Sequence, residues 1–233
     1  MTKFQSLFGI NETEIKNTCV FLPLIGKNVL GWLGVEKLSK GRVYSSGNSA
    51  HFTVIQTGMC PVFSGDAVLY LSQTQCKNIV LFGSCGLVKK EKELDIGSIV
   101  TPEKCYSMES FSNMLLESKK QYTHFFPDME LLEKFGDIKK VTCATLGSLK
   151  LEENSGNIFK SNGIQIVDME CSAVFSAAKH TGIKAAAIFY ITDIIKEKPF
   201  YKELGSKDKI TLSSSIKSAC GLLCKLAKKN SNV

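Results

Sequence analysis

The chain has 233 residues, of which 44% are hydrophobic, and this share supports one α/β domain with a sizeable core. The formal net charge is +7, but the lysines are scattered and their short groups are not interleaved with aromatic residues, which disfavours a nucleic-acid site. The nine cysteines stand singly in apolar runs without a CxxC motif, so we expect neither a disulfide framework nor a metal site.

Targeting and organisation signals are also sparse. No stretch has the length and apolarity of a signal peptide or a membrane span, which predicts a cytoplasmic protein that does not act at a membrane. We find no internal repeat, low-complexity segment or linker. A single domain over residues 1–233 is expected, with a short helical extension over residues 1–18.

Apolar runs that suit buried strands alternate with helical patterns along the chain. Strands are expected at 19–25, in two runs within 42–57, and at 78–82, 96–100, 141–145, 164–167 and 185–191. Helices are expected at 62–74, 127–135 and 210–229, and also after residue 171, ending at Gly182. The polar segment 105–122 predicts a loop or lid, and Ser45-Ser46-Gly47-Asn48 predicts a hairpin turn. The alternation favours an α/β fold with a parallel or mixed sheet.

Chemically useful residues follow three of these strands. Asp168-Met169-Glu170 ends the run at 164–167, Asp193 ends the run at 185–191, and Gly83-Ser84-Cys85-Gly86 closes the strand at 78–82. Carboxylates at the carboxyl ends of buried strands face the crevice in which α/β folds place ligands. A glycine-rich turn after a strand can present backbone N–H groups to an anion or a water. The sequence therefore predicts an active site at this edge.

Four motifs, in order, resemble those of the nucleoside phosphorylase superfamily, which includes purine nucleoside and uridine phosphorylases and methylthioadenosine/S-adenosylhomocysteine nucleosidases. They are Thr57-Gly58-Met59-Cys60-Pro61 ("GMG-x-P"), Phe82-Gly83-Ser84-Cys85-Gly86-Leu87 ("GSCG/GTAG"), Val167-Asp168-Met169-Glu170 ("DME") and Thr192-Asp193 ("SD"). The resemblance covers roughly residues 19 to 228. It implies a three-layer α/β/α domain with a mixed, partly barrel-like central sheet, and a homo-oligomer.

Cleavage of a nucleoside C–N bond needs a general acid that protonates the departing nucleobase and a group that binds the sugar in place. Asp193 is the candidate acid, although a helix N-cap is an alternative role for it. Glu170 is the candidate ligand of the ribose hydroxyls, with Met169 against the sugar face. The alternative for Glu170 is a charge at a helix N-terminus, and Asp168 is expected to be an N-cap rather than a substrate contact.

The remaining candidate substrate-binding residues come from the resemblance and from one aromatic cluster. Gly58 and Met59 stand in the early turn, and Ser84, Cys85 and Gly86 form the anion loop. Cys85 is not expected to be a nucleophile, because no histidine lies near it in sequence. Phe125, in His124-Phe125-Phe126-Pro127, forms either an aromatic wall for the base, part of a neighbouring subunit's site, or plain core.

The acceptor side departs from the family pattern. Leu81 stands where the phosphorylases carry an arginine, the Gly-Asp-Pro-x-Arg loop is absent after the first strand, and the usual aspartate and arginine are missing from 145–152. Without these arginines, a phosphate dianion has no guanidinium group that donates two hydrogen bonds to it. This absence weakens the case for phosphorolysis. The nucleosidases' water-activating glutamate is missing as well, since residues 19–35 contain no carboxylate. Glu152, or a residue of the segment around Glu109, would have to activate water instead.

These observations predict an enzyme that cleaves the N-glycosidic bond of a purine-type nucleoside, with hydrolysis slightly favoured. No cofactor is expected, although phosphate stays open as a co-substrate. The alternative is a nucleoside-binding protein of the same fold that has lost turnover, which the missing arginines and carboxylate favour. A nucleic-acid-binding protein is disfavoured because the basic residues do not cluster.

Overall fold

The computed structural model describes residues 1–117 and 123–230. The strands are β1 Thr18–Leu22, β2 Ser39–Lys40, β3 Ser45–Asn48, β4 Thr53–Gln56, β5 Asn78–Leu87, β6 Ile99–Met108, β7 His124–Phe125, β8 Lys139–Leu146, β9 Ile166–Asp168 and β10 Lys184–Ile194. The helices are α1 Lys3–Phe8, α2 Val29–Trp32, α3 Pro61–Leu71, α4 Phe111–Leu115, α5 Met129–Glu133, α6 Leu149–Glu152, α7 Gly156–Ser161, α8 Cys171–Thr181 and α9 Ser206–Asn230, with a 3₁₀ turn at Glu12–Glu14.

Five strands close into a barrel. β5 pairs in parallel with β10, β10 pairs antiparallel with β6, and β6 pairs in parallel with β8. β8 then pairs in parallel with β9, and β9 closes the ring by antiparallel pairing with β5. β1, β4, β3 and β2 extend the sheet outward from β5. This architecture confirms the predicted α/β fold with a mixed, partly barrel-like central sheet.

Helices cover the sheet on two sides. One apolar cluster packs buried side chains of α3 and α8, such as Val68 and Val174, against the sheet. A second cluster packs side chains of α9, such as Leu223, together with residues of α2 and α5. The helix, sheet and helix layers of the prediction are therefore present. Pro61 occupies the first turn of α3, and Gly182 ends α8 in the left-handed conformation, both as predicted.

A gap in the pairing of β5 positions the site. On one edge, β5 pairs continuously with β10. On its other edge, β1 pairs only as far as Leu81, and β9 begins to pair only at Gly86. Within the described residues, the backbone between Leu81 and Gly86 has no neighbouring strand on that edge. The sheet therefore has an opening beside β5, between the end of β1 and the start of β9. Ligands of α/β proteins bind in such openings.

The predicted hairpin turn at Ser45-Ser46-Gly47-Asn48 is wrong, because these residues form β3. The polar residues and the glycine are typical of a turn. Here, however, glycine is needed for close packing within a strand, because a Cβ at position 47 would lie 2.3 Å from the Lys37 carbonyl oxygen. The turn lies one step later, where the Ser49 N–H donates to the Phe52 carbonyl and the Phe52 N–H donates to the Ser49 hydroxyl.

The glycine-rich segment Gly83-Ser84-Cys85-Gly86 is also not a loop. It continues β5, because pairing with β10 extends through it to Leu87. The predicted anion loop is therefore a strand that supplies part of its backbone polar groups to a β ladder.

Two further segments differ from expectation. The N-terminal helix is present as α1, but it packs into the core, where the Phe8 ring stacks on Phe4 and Tyr44 at centroid distances of 4.3 and 4.4 Å. The expected loop at 105–122 begins instead as strand β6 and continues as α4, while residues 118–122 lie outside the described part. Within residues 1–117 and 123–230, no helix is long and apolar enough to cross a membrane.

Candidate active site

A cavity of about 290 Å³ opens at the gap beside β5. Its wall is formed by the ends of β1, β5, β8, β9 and β10, the turn before α3, helix α6 and the segment after β10. Four acidic residues line it: Glu152, Asp168, Glu170 and Asp193. Among the described residues, no lysine, arginine or histidine does so. The pocket therefore favours a ligand that donates hydrogen bonds or develops positive charge.

Asp193 lies near the end of β10, at a shift in the register of the pairing with β5. Its neighbour across the ladder is Gly86, where a Cβ would lie 3.1 Å from Asp193 Oδ2, so a larger residue would push the carboxyl group back by a few tenths of an ångström. The Thr192 hydroxyl donates to Asp193 Oδ1 at 2.8 Å. Burial raises the pKa of Asp193, and the Thr192 hydrogen bond opposes that shift only in part. Asp193 is thus a strand residue, not a helix N-cap.

Glu170 stands at the N-cap position of α8, but its side chain makes no capping hydrogen bond. It is only 5% exposed, and its Oε1 atom has no hydrogen-bond partner among the described residues. Burial, and next the negative charge of Asp168, raise the pKa of Glu170 to about 9. A buried carboxyl oxygen without a partner in a pocket wall is an acceptor that a ligand can satisfy.

Asp168 was expected to be the N-cap of α8, but it stands two residues before the N-cap residue Glu170 and holds the start of the helix through its side chain. Its Oδ2 accepts the backbone N–H groups of Glu170 and Cys171 at 2.8 and 2.6 Å. Its Oδ1 accepts the Thr145 hydroxyl at 2.6 Å and the Cys143 thiol at 3.5 Å. With both oxygens occupied, Asp168 holds the start of α8 and the Glu170 backbone in place.

Three buried cysteines lie beneath this cap. The sulfur atoms of Cys105, Cys143 and Cys171 lie within 4.8 Å of one another. The Cys105 thiol also contacts the Thr145 hydroxyl at 3.2 Å, in the same network as the cap. The three thiols fill the space between β6, β8 and the first turn of α8 as small, weakly polar side chains.

The structure brings most of the predicted substrate-binding residues together. Met59, Ser84, Cys85, Gly86 and Met169 all line the pocket with Glu170 and Asp193. Gly58 does not line it, but it stands next to Met59. Burial, and next the charges of Asp168 and Asp193, raise the pKa of the Cys85 thiol well above its usual range. That shift keeps the thiol protonated and agrees with the expectation that Cys85 is no nucleophile.

Phe125 lies apart from this pocket. It is buried in strand β7, which pairs with β6, and it lines a different cavity together with Phe175 and Ile183. An aromatic wall from Phe125 for the base within the same chain is therefore excluded. The adjacent Phe126 is 58% exposed.

Glu109 does not line the pocket either. It is buried, and its carboxylate accepts hydrogen bonds from the hydroxyls of Ser107, Ser112 and Ser172 at 2.6–2.9 Å, which link α4 to α8. Glu109 itself is therefore not placed to activate water in this pocket, and residues 118–122 of the same segment lie outside the described part.

Sequence reasoning missed several lining residues. Leu149 of α6 and Phe200 after β10 contribute apolar surface, and Pro23 and Leu24 do so after β1. No periodic pattern marks these positions, because they lie in short helical turns and connections. Glu152 does line the pocket and is only 6% exposed.

Comparison with known proteins places this geometry in a family. The phosphorylase superfamily model matches residues 33–227. Three similar solved structures are Vibrio fischeri uridine phosphorylase (17% identity, 97% of each chain covered, TM-score 0.80), Toxoplasma gondii purine nucleoside phosphorylase (16%, 98% of each, 0.77) and Campylobacter jejuni 5′-methylthioadenosine/S-adenosyl homocysteine nucleosidase (12%, 92% of this chain and 99% of that one, 0.71). No curated protein sequence gives a significant match. Because the family match spans most of the chain, the protein belongs to the phosphorylase superfamily, as its motifs predicted.

Proposed function

We propose that the protein cleaves the N-glycosidic bond of a purine-type nucleoside. The observation that carries the proposal is the unpartnered Oε1 atom of Glu170, which lies in the wall of the same pocket as the buried Asp193 carboxyl group. One group is suited to hold a sugar and the other to protonate a leaving base. Similar solved structures include a purine nucleoside phosphorylase and a methylthioadenosine nucleosidase, which supports this substrate class.

In the proposed mechanism, Glu170 accepts hydrogen bonds from the ribose hydroxyls, and Met169 packs against the sugar. Asp193, whose pKa is raised by burial, carries a proton that it donates to a ring nitrogen of the base as the C–N bond breaks. The sugar then develops positive charge.

For the acceptor, we propose water. A phosphate dianion would enter a pocket with four acidic residues and, among the described residues, no basic side chain in its wall. Strand β5 adds Ser84, whose hydroxyl is a pocket group able to hold a water molecule. The water oxygen bonds to the anomeric carbon to give ribose, and the proton that the water loses passes to solvent, from which Asp193 is protonated again. Phosphate binding would need basic residues from elsewhere in the chain or from a neighbouring subunit.

A second candidate function is nucleoside binding without turnover. The wall near the end of β1 and the turn before α3 contributes Pro23, Leu24 and Met59, none of which can activate water. This apolar end favours a protein that retains the nucleoside pocket and has lost the nucleophile.

A nucleoside panel separates these functions. Inosine, adenosine, methylthioadenosine and uridine are incubated with the protein, and free base is measured by chromatography, while binding of each nucleoside is measured by calorimetry. We expect release of purine bases and little release of uracil. Binding of a purine nucleoside without base release would select the second function, and neither binding nor release would overturn both.

We also propose that the chain forms a homo-oligomer and works in the reducing cytoplasm. Phe126 and Met114 expose apolar surface, and the Phe125 segment is available to complete a neighbouring subunit's site. All nine cysteines are free. Light scattering coupled to size-exclusion chromatography measures the assembly, and a monomer at micromolar concentration would contradict it.

A further inference from the structure

Three thiol groups converge beside the wall of the barrel. Cys105 of β6 and Cys143 of β8 are direct neighbours in the register of that strand pair, and Cys171 is the first residue of α8. All three side chains are fully buried, and their sulfur atoms lie within 4.8 Å of one another. The sequence predicted no metal site, because these cysteines stand far apart along the chain and meet only in the fold.

The spacing of the three sulfurs suits a shared metal ion. With a metal–sulfur bond of ~2.3 Å, two sulfur ligands lie ~3.8 Å apart on a tetrahedral ion and ~4.0 Å apart on a trigonal one. Both separations are inside the observed limit of 4.8 Å, so the three sulfurs are close enough to bind one ion. A disulfide would join only two of them and would leave the third thiol unused.

Polar groups already hold two of the sulfurs. The Cys143 thiol donates to Asp168 Oδ1 at 3.5 Å, and the Cys105 sulfur contacts the Thr145 hydroxyl at 3.2 Å. Thr145 itself donates to Asp168 Oδ1 at 2.6 Å, which leaves its oxygen to accept from the Cys105 thiol. Simple apolar filling needs no such partners, whereas hydrogen bonds of this kind orient the ligands of metal ions.

The donor atoms select the type of ion. Thiolate sulfur is a soft ligand that binds Zn²⁺ and Cu⁺, whereas Mg²⁺ and Ca²⁺ take oxygen ligands. On a tetrahedral zinc ion, an oxygen and a sulfur ligand lie ~3.5 Å apart. Asp168 Oδ1 has this separation from the Cys143 sulfur and is therefore the candidate fourth ligand for Zn²⁺. Three sulfurs alone suit Cu⁺, which accepts three-coordination.

We propose that Cys105, Cys143 and Cys171 form a binding site for one thiophilic d¹⁰ metal ion, Zn²⁺ or Cu⁺. Each thiol that coordinates the ion releases its proton to solvent, and the charge of the ion offsets the thiolates in this buried place. Cys171 stands at the N-terminal end of α8, where the helix dipole favours a thiolate. The bound ion ties β6, β8 and α8 together, and this role does not depend on nucleoside cleavage.

Metal analysis of the full-length protein tests the site. The protein is produced in medium supplemented with zinc or with copper and is purified anaerobically with a phosphine reductant. We expect about one zinc or copper ion per chain by elemental mass spectrometry, retained against a weak competing chelator, and no bound magnesium. Relative to metal-free protein, the ion should raise the melting temperature by roughly 5–10 °C at a free concentration ~100-fold above its dissociation constant.

Removal of one sulfur gives the matched comparison. Cys143→Ala should lower the retained metal about tenfold or more and abolish the rise in melting temperature. Cys220→Ala is the control, because Cys220 is a fully buried cysteine of α9 outside this cluster, and it should keep the metal content of the wild type. If Cys143→Ala does not fold, X-ray absorption of the wild type decides, and three sulfur ligands at ~2.3 Å are expected.

X-ray absorption also distinguishes the two ions. Zinc should show three sulfur ligands and one oxygen ligand, and copper three sulfur ligands only. Folded wild-type protein that retains neither ion would overturn the proposal. So would an ion bound through fewer than three sulfurs, equal metal content in Cys143→Ala, or a disulfide between two of these cysteines under the same reducing purification.

Discussion

Two carboxyl groups in one pocket wall, Asp193 and Glu170, have raised pKa values because burial disfavours their charged forms. Enzymes use such shifts to keep an acid protonated at neutral pH. The sequence predicted both residues, because each stands at the end of a buried strand. It could not predict that Glu170 Oε1 would lack a partner, since that depends on the packing of α8 against the barrel.

Replacing Asp193 by asparagine should abolish base release while leaving nucleoside affinity within about tenfold. The amide keeps the shape of the side chain but cannot deliver a proton, and general-acid catalysis contributes ~10²–10⁴ in rate. Stopped assays of adenine release measure the rate, and calorimetry measures the affinity. Asp66→Asn is the control, because Asp66 is another carboxyl group with a raised pKa but lies outside the pocket. Near-normal adenine release by Asp193→Asn would show that another group is the acid.

Replacing Glu170 by glutamine should weaken both binding and turnover, because the amide nitrogen can only donate where a carboxyl oxygen can accept from a ribose hydroxyl, and a hydrogen bond contributes ~0.5–1.5 kcal/mol. The disadvantage of 2′- and 3′-deoxynucleosides should shrink in this variant. The measurement is kcat/KM for ribonucleosides and deoxynucleosides with both proteins. Strictly additive losses would mean that Glu170 does not contact the sugar hydroxyls.

Individual elements show where sequence patterns mislead. The polar residues at 45–48 and the glycines at 83–86 both read as turns, yet both lie in strands. Glycine stands at position 47 of the strand because the Lys37 carbonyl approaches the backbone there, and glycine stands at position 86 because the Asp193 carboxyl group does so. Such contacts come from residues distant in sequence, so no local pattern reports them. The helices α3, α8 and α9 were predicted well, because capping and periodicity are local.

The cap of α8 gives a prediction at this scale. Asp168→Asn should destabilise the protein by ~1–3 kcal/mol and lower turnover, because an amide nitrogen would face N–H or O–H donors in place of an acceptor. Asp128→Asn is the control: Asp128 caps α5 through a single hydrogen bond from the Leu131 N–H, and asparagine is as good an N-cap there. Urea unfolding measures both variants. Equal stabilities would contradict the role given to Asp168.

At the scale of the whole molecule, the closed barrel was the part least accessible to residue-by-residue reasoning. Alternation of strands and helices indicates an α/β fold, but closure requires β9 and β10 to meet β5 from two sides. Only the resemblance of four motifs to a known family implied a barrel-like sheet. The pocket follows from that closure, because it lies where β1 leaves β5 and β9 joins it.

Stability should depend on pH through Glu152. Burial, and next the charges of Asp193 and Glu153, raise its pKa from an ordinary value of 4.5 to about 7 in the folded protein. The folded state therefore binds the proton more tightly, so this stabilisation is complete below pH 4.5 and is lost as the pH rises to 7. One such group changes the free energy of unfolding by at most ~1.4 kcal/mol per pH unit. In urea titrations from pH 4 to 8, Glu152→Gln should show a shallower decline than wild type, because Asp168, whose pKa burial also raises to about 7, still titrates in the variant. Parallel curves for the two proteins would contradict the prediction.

The most direct test of the central claim is the identity of the sugar released from adenosine, measured by NMR with and without phosphate. We predict equal amounts of adenine and free ribose, a rate that phosphate changes less than twofold, and no release by Asp193→Asn. Ribose 1-phosphate formed with saturation at sub-millimolar phosphate would contradict hydrolysis and would require basic residues from a neighbouring subunit. Binding of adenosine without any adenine release would contradict catalysis itself.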